Sequence, residues 1–465
     1  MRAMGLLALR TWAADQLFRR SMKNAGLLFT GNVLASLLGL VAVALTARGL
    51  GVELFGTLAL IRAYVTIVDR LVNFQSWQAM IRYGAEALER RHDEEFKRLI
   101  KFGTLLDAAT AVAGAAIGAS AVYWIGQWRG WNPEVIHLAS LYSLSILFNL
   151  SGTPKAILRL FDRFTLFAWQ QVAASVFKLV GVVFALMSRS SLGGFLVIWM
   201  LTDILGYLLL LALGWRELKR RGFSGILTRT SLQGVTRQHP GLWGFVWLTN
   251  LDGSARMALK ELDTLIVGGL LGVASAGLYQ VAKQCAKIID QVSDPLYEAM
   301  YPELAKLWAR KDTHQMRRVM VRSGLVIGSI AVLIWLGFLI AGGWFLRVVF
   351  GAAFVSAHAV LVWYLLAMTI DAFLFPLPSA LLAMGRAGSA LRINLVSALA
   401  FFPALVVLAR TFGLPGTGMA FVLQYLIWAL GMLGATQALL KRKADVRIAT
   451  VGVVPVSTVS VEELI

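Results

Sequence analysis

Residues 250–307 read NLDGSARMALKELDTLIVGGLLGVASAGLYQVAKQCAKIIDQVSDPLYEAMYPELAKL, and the reading of this stretch decides the fold. Its centre, Leu265 to Gly272, is apolar and rich in glycine. Asp252, Arg256, Lys260, Glu261 and Asp263 come just before it, and Lys283, Lys287, Asp290 and Asp294 come after. At 3.6 residues per turn, positions 283, 287, 290 and 294 fall on one helical stripe, and 252, 256, 260 and 263 nearly do the same. Charge at membrane depth is costly unless it faces water or a partner. The stretch therefore reads as two helices lining a polar cavity inside a membrane protein.

The composition agrees. Hydrophobic residues make up 58% of the 465 and charged residues 15%, against about a quarter charged in soluble domains. Long apolar runs recur over the whole chain, as in a polytopic membrane protein. A net charge of +19 suggests nucleic acid as a partner, but the basic residues sit in short loops between spans, which argues against it. Cys285 is the one cysteine, so no disulfide forms within the chain. The five histidines have no metal-ligand spacing, and no Gly-rich Lys-Ser/Thr phosphate loop is present. We expect no cofactor, no metal and no enzymatic activity.

The apolar runs divide into twelve expected spans. Six lie over 25–47, 55–84, 99–126, 134–154, 164–188 and 192–215, and six over 241–271, 275–304, 319–346, 355–383, 388–410 and 416–440. This gives an interfacial N-terminal segment (1–23), an N-lobe (24–215), a basic connector (216–240), a C-lobe (241–440) and a loose tail (441–465). With this segmentation, 31 Lys and Arg fall on one side and 5 on the other. By the positive-inside rule both termini are cytoplasmic.

The halves also echo each other. Gly51-Val52-Glu53-Leu54-Phe55-Gly56 aligns with Gly272-Val273-Ala274-Ser275-Ala276-Gly277, and Pro154-Lys155-Ala156-Ile157-Leu158 with Pro378-Ser379-Ala380-Leu381-Leu382. Arg90-Arg91 with Lys97-Arg98 aligns with Arg310-Lys311 and Arg317-Arg318 at nearly the same offset. A duplication of six spans gives two lobes of equal topology, related by an axis along the membrane normal. The expected fold is an all-α polytopic protein: twelve transmembrane helices in two six-helix lobes around a central cavity.

Polar residues on single faces point to that cavity. Arg62, Thr66, Asp69, Asn73 and Ser76 follow helical spacing in the second span, as do Gln171, Ser175 and Lys178 in the fifth. Arg70 lies beside the first stripe, and Asp203 and Asp371 sit within the sixth and tenth spans. Expected substrate-binding residues are Arg62, Lys178, Lys283, Lys287, Arg256, Asp69 and Gln284. Asp203 and Asp371 are candidate coupling carboxylates. Arg and Lys in a desolvated hollow suit a phosphate or diphosphate, Arg as a fork and Lys as a point charge. The plainer alternative is that acids and bases merely neutralise one another, for instance Asp252 with Arg256, or Lys283 or Lys287 with Asp290.

Lys23-Asn24, then Ala47-Arg48-Gly49-Leu50-Gly51-Val52-Glu53-Leu54-Phe55-Gly56-Thr57-Leu58, resembles the start of the polysaccharide transporter family. Leu262-Asp263-Thr264 through Gly272–Ala282, ending near Tyr301-Pro302-Glu303-Leu304, resembles its second half. That family includes the O-antigen flippases and shares a superfamily with lipid II flippases and multidrug exporters. The resemblance implies two six-helix lobes around a cavity, often cationic. It also implies a flippase that moves undecaprenyl-diphosphate-linked oligosaccharide across a bacterial inner membrane by alternating access. Implied partners are the lipid-linked oligosaccharide, membrane lipids and a polysaccharide polymerase. The rivals are a lipid II-type flippase, a cation-coupled exporter of small compounds, a membrane enzyme of the same pathway, and a non-transporting scaffold.

Overall fold

The computed structural model describes the backbone of residues 16–451 except Gln75, Arg129, Gly130 and Lys311. Within that range it leaves aside the side chains of 16–29, 252–259, 290–299, 441–451 and a few single positions. Most of the expected N-terminal segment and the last part of the expected tail lie outside the described residues.

Among the described residues every element is helical. The first half comprises α1 (Gln16–Val72), α2 (Trp77–Glu89), α3 (Asp93–Trp128), α4 (Pro133–Ser143), α5 (Gly152–Leu160), α6 (Phe164–Met187) and α7 (Leu192–Arg220). Two single turns, α8 (Ile226–Arg229) and α9 (Val235–Gln238), occupy the basic connector. Then follow α10 (Leu242–Leu271), α11 (Val273–Ala309), α12 (Thr313–Val349), α13 (His358–Leu374), α14 (Pro376–Ala383), α15 (Ala387–Phe412) and α16 (Leu414–Val451). The last of these continues into the segment expected to be loose. α11 runs on to Ala309, past the expected end of the eighth span at 304.

Nine helical stretches among the described residues are long and apolar enough to cross a membrane. Their outer surfaces are apolar too: Ile340 is 85% exposed and Phe184 65%. An aqueous protein rarely shows so many bare large side chains, whereas acyl chains solvate them without cost. Within the first stretch, Thr30–Glu89, α1 is itself two helices joined across a kink. They meet at Gly51, whose φ of 75° and ψ of 176° are open essentially to glycine alone. Gly272, between α10 and α11, has φ 88° and ψ 170°. The aligned glycines of the two halves thus make the same joint.

Two spans of the first half depart from expectation, and the expected tenth is likewise broken between Leu374 and Pro376. The second does not run to 84: α1 stops at Val72, and α2 starts afresh at Trp77. The fourth gives way to a 3₁₀ turn, Leu144–Phe148, before α5. α14, with Pro378 as its third residue, repeats α5, with Pro154 as its third, at the offset seen in the sequence. The breaks survive in an apolar setting because side chains replace the missing backbone partners. Asp69 accepts from the Asn149 amide at 2.9 and 3.0 Å and from the Asn73 amide at 3.0 Å. Asp107, 1% exposed, accepts from Thr153 N at 2.7 Å, Thr153 Oγ1 at 2.9 Å and Ser76 N at 3.4 Å.

The chain forms two compact units. The first takes in everything up to Lys287 together with 341–361 and 406–417. Its core includes Met80, Phe96, Leu99, Ile100, Ile157 and Leu218, and the connector's Ile226 and Val235 are buried in it. Lys101 Nζ donates to Thr230 O at 2.7 Å, so the connector is docked rather than slack. The second unit takes in 288–340, 362–405 and the chain from Gly418 on. Leu304, Met316, Met320, Leu381 and Met432 form its core. Gly324 and Gly328 lie directly against Phe373, where a β-carbon would collide.

Candidate functional site

A cavity of about 380 Å³ opens within the first unit. Residues at helical spacing on five helices line it. α1 supplies Phe55, Leu58, Ala59, Arg62, Ala63 and Thr66; α6 supplies Gln170, Ala174, Ser175 and Lys178; and α7 supplies Trp199, Thr202, Asp203, Gly206 and Tyr207. Glu261 comes from α10, and Gln280, Gln284 and Lys287 from α11. Gly181 and Gly206 let α6 and α7 approach closely. A β-carbon on Gly181 would stand 2.7 Å from Ile198, and one on Gly206 3.2 Å from Ala174. This closeness brings Lys178 Nζ to 2.7 Å from Asp203 Oδ1. The Tyr142 hydroxyl donates to the other Asp203 oxygen at 2.6 Å.

Trp199 organises the cations. Its indole N–H donates to Thr46 Oγ1 at 3.2 Å, which fixes the ring. The Arg62 guanidinium lies 4.5 Å and the Lys178 ammonium 4.7 Å from the ring centroid. An indole near a cation contributes about 0.5–2 kcal/mol and neutralises nothing. The lining therefore holds three cations, Arg62, Lys178 and Lys287, against two carboxylates, Asp203 and Glu261. Around them stand the amides of Gln170, Gln280 and Gln284 and the hydroxyls of Thr66, Ser175, Thr202 and Tyr207. Gln280 Oε1 is buried with no hydrogen-bond partner. Such a hollow suits a ligand that has an anionic group and several neutral polar ones.

Of the residues singled out from sequence, Arg62, Lys178, Lys287, Gln284 and Asp203 meet at this cavity. Lys283 does not line it. Its ammonium is buried against Asp263 Oδ1 at 2.9 Å, Lys260 O at 2.7 Å and Thr264 Oγ1 at 3.3 Å, with Glu261 at 3.7 Å. Asp263 also takes the Tyr279 hydroxyl at 2.7 Å, so here the neutralised alternative holds. Asp69 too is committed elsewhere, to the asparagines at the helix breaks. Asn73 and Ser76 leave the expected stripe because α1 has already ended. Asp371 belongs to α13 in the second unit, and the Arg256 side chain lies outside the described residues.

Trp199 and Tyr207 line the cavity without any sequence pattern that singles them out, Glu261 joins them from outside the expected stripe, and Gln170 faces the cavity in place of the expected Gln171. Trp199, Asp203 and Gly206 share a helical face, but that face is drowned in an apolar span with one acid. The Lys283–Asp263 pair gives a test. Lys283→Met leaves a buried carboxylate without its cation, so we expect a stability loss of about 3 kcal/mol. Lys283→Met/Asp263→Leu should recover most of it in thermal unfolding of the purified protein. If the double variant is as unstable as the single one, the pair is not the cause.

Residues 21–308 match the family described as polysaccharide biosynthesis protein. Inner membrane protein YghQ of Escherichia coli K12 is 30% identical over 350 residues, covering 75% of this chain and 98% of that protein. Lipopolysaccharide biosynthesis protein WzxC of the same organism is 27% identical over 229 residues, 49% of this chain and 46% of its own. Among solved structures, an inward-facing MATE-family multidrug transporter of the MOP superfamily superposes with a TM-score of 0.72 at 12% identity, covering 89% of this chain and 96% of its own. The inward closed form of the lipid II flippase MurJ gives 0.66 at 12% identity, covering 92% of each. At such identity these two likenesses speak for the fold.

Proposed function

We propose, from the premise that this chain belongs to the polysaccharide biosynthesis protein family, that it is a flippase for a lipid-linked oligosaccharide. The reading takes the substrate as an undecaprenyl-diphosphate glycan, carried from the cytoplasmic to the outer leaflet of a bacterial inner membrane. The observation that carries it is the cavity in which Arg62, Lys178 and Lys287 outnumber Asp203 and Glu261 and are surrounded by amides and hydroxyls. The cations hold the diphosphate and the neutral groups meet the sugars. The name of WzxC, a lipopolysaccharide biosynthesis protein, favours a glycan pathway, and that of the probable flippase AglR of Haloferax volcanii favours a flippase.

Twelve spans, cytoplasmic termini and two lobes of six spans complete the proposal, and alternating access supplies the motion. An anionic headgroup moving outward is assisted by the membrane potential, by about 2.3 kcal/mol per charge per 100 mV. Asp203 and Glu261 give the cation-coupled exporter its one foothold, but Lys178 already neutralises Asp203 at 2.7 Å. Deleting the gene should trap lipid-linked oligosaccharide in the inner leaflet, beyond the reach of a glycosidase added outside spheroplasts. Expression of the wild-type chain should restore its cleavage. Unchanged cleavage in the deletion strain would count against a flippase.

A further inference from the structure

Where α1, α2 and α5 meet, at the broken ends of the second and fourth spans, there is a second group of cations. Arg70 sits on the last turn of α1, and Lys155 and Arg159 lie one turn apart on α5. Lys155 is in electrostatic reach of Arg70, Arg159, Asp69 and Asp107. Those two carboxylates are already occupied: Asp69 takes the amides of Asn73 and Asn149, and Asp107 takes Thr153 and the backbone of Ser76. They temper the local field at Lys155. Arg70 Nε is buried and has no hydrogen-bond partner, and such a donor inside a protein calls for an acceptor. The Arg159 guanidinium is 4.6 Å from the Trp77 ring centroid and 5.7 Å from that of Phe167. Stacking of this kind orients the plane in which an arginine fork grips a phosphate.

We propose that Arg70, Lys155 and Arg159 form a second site for a phosphate or diphosphate group, separate from the main cavity. Eight residues of helix separate Arg62 from Arg70, so the two stand about 12 Å apart along α1. Tyr207, which lines the main cavity, is in electrostatic reach of both arginines. On the flippase reading, on which this role rests, the second site takes the headgroup from the cytoplasmic side and passes it to Arg62 and Lys178. The shared chemistry is a phosphate ester, which either the lipid-linked glycan or a membrane phospholipid supplies.

The test is calorimetric titration of inorganic pyrophosphate into the full-length protein in phosphatidylcholine nanodiscs at low salt. We expect two binding events. Arg70→Gln/Lys155→Gln should weaken one of them by about tenfold or more, and Arg62→Gln/Lys178→Gln the other. Lys155→Arg should retain the first, and Lys155→Gln alone serves if the double variant does not fold. A single wild-type event that Arg62→Gln/Lys178→Gln abolishes, or two undiminished events in Arg70→Gln/Lys155→Gln, overturns the proposal. A single wild-type event that only Arg70→Gln/Lys155→Gln abolishes sinks the diphosphate reading of the cavity but not this site. Nanodiscs with added phosphatidylglycerol separate the sources. If that lipid abolishes only the Arg70 event, the site is a phospholipid seat and the hand-over is refuted. If both events persist, the hand-over stands.

Discussion

Arg62→Gln is expected to lower translocation of lipid-linked oligosaccharide about a hundredfold, since truncating one partner of a desolvated charge pair costs about 3 kcal/mol. Within the protein the change removes the contact with Trp199, worth about 1 kcal/mol, together with the interactions with Tyr142, Asp203 and Glu261, so unfolding is measured beside transport. Arg62→Lys keeps the charge and loses the fork, so it should fall between the two. Lys178→Gln should be weaker in effect, because Asp203 already shares that ammonium. By the same reasoning Asp203→Asn releases Lys178 and should tighten pyrophosphate binding. The measurement is translocation in sealed proteoliposomes, with thermal unfolding as the control for folding. Undiminished or improved transport in Arg62→Gln would turn the assignment towards an exporter of cations.

Asp107→Ala should be more destabilising than Lys283→Met. The carboxylate accepts from Thr153 N, Thr153 Oγ1 and Ser76 N, and it joins two interrupted spans while itself only 1% exposed. Each hydrogen bond to a charged group contributes about 1.5–3 kcal/mol, and its donor is stranded when the acceptor goes, so the expected loss is about 4 kcal/mol or more. Gly152 belongs to the same arrangement. A β-carbon there would lie 2.7 Å from Asp107 Oδ1 and 2.8 Å from Ser76 N. Asp107→Asn keeps one oxygen and the shape, and should cost about half as much. The unfolding midpoint of purified protein decides this. A midpoint for Asp107→Ala within a degree or two of wild type would mean that the breaks are held by packing and not by this side chain.

The sequence determined that the chain is a bundle of membrane helices, because hydropathy records which solvent a segment meets and lipid admits helices with internally paired backbones. It also determined the joint at Gly51 and its counterpart at Gly272, because a backbone with φ near 80° excludes other residues. Arg62, Lys178 and Lys287 were legible as cavity residues, since ionisable groups on apolar helices have few places to go.

Only the tertiary structure decided how each charge is satisfied. Lys283 and Lys287 are one turn apart on α11, yet the first is buried on Asp263 and the second reaches the cavity. Asp69 and Asp203 are both acids within spans, yet one fastens a broken helix and the other faces the hollow. Helical periodicity places a side chain on a face within its own helix. Whether that face meets a carboxylate, an amide or an opening depends on the neighbouring helices and on their glycines, which no local pattern encodes.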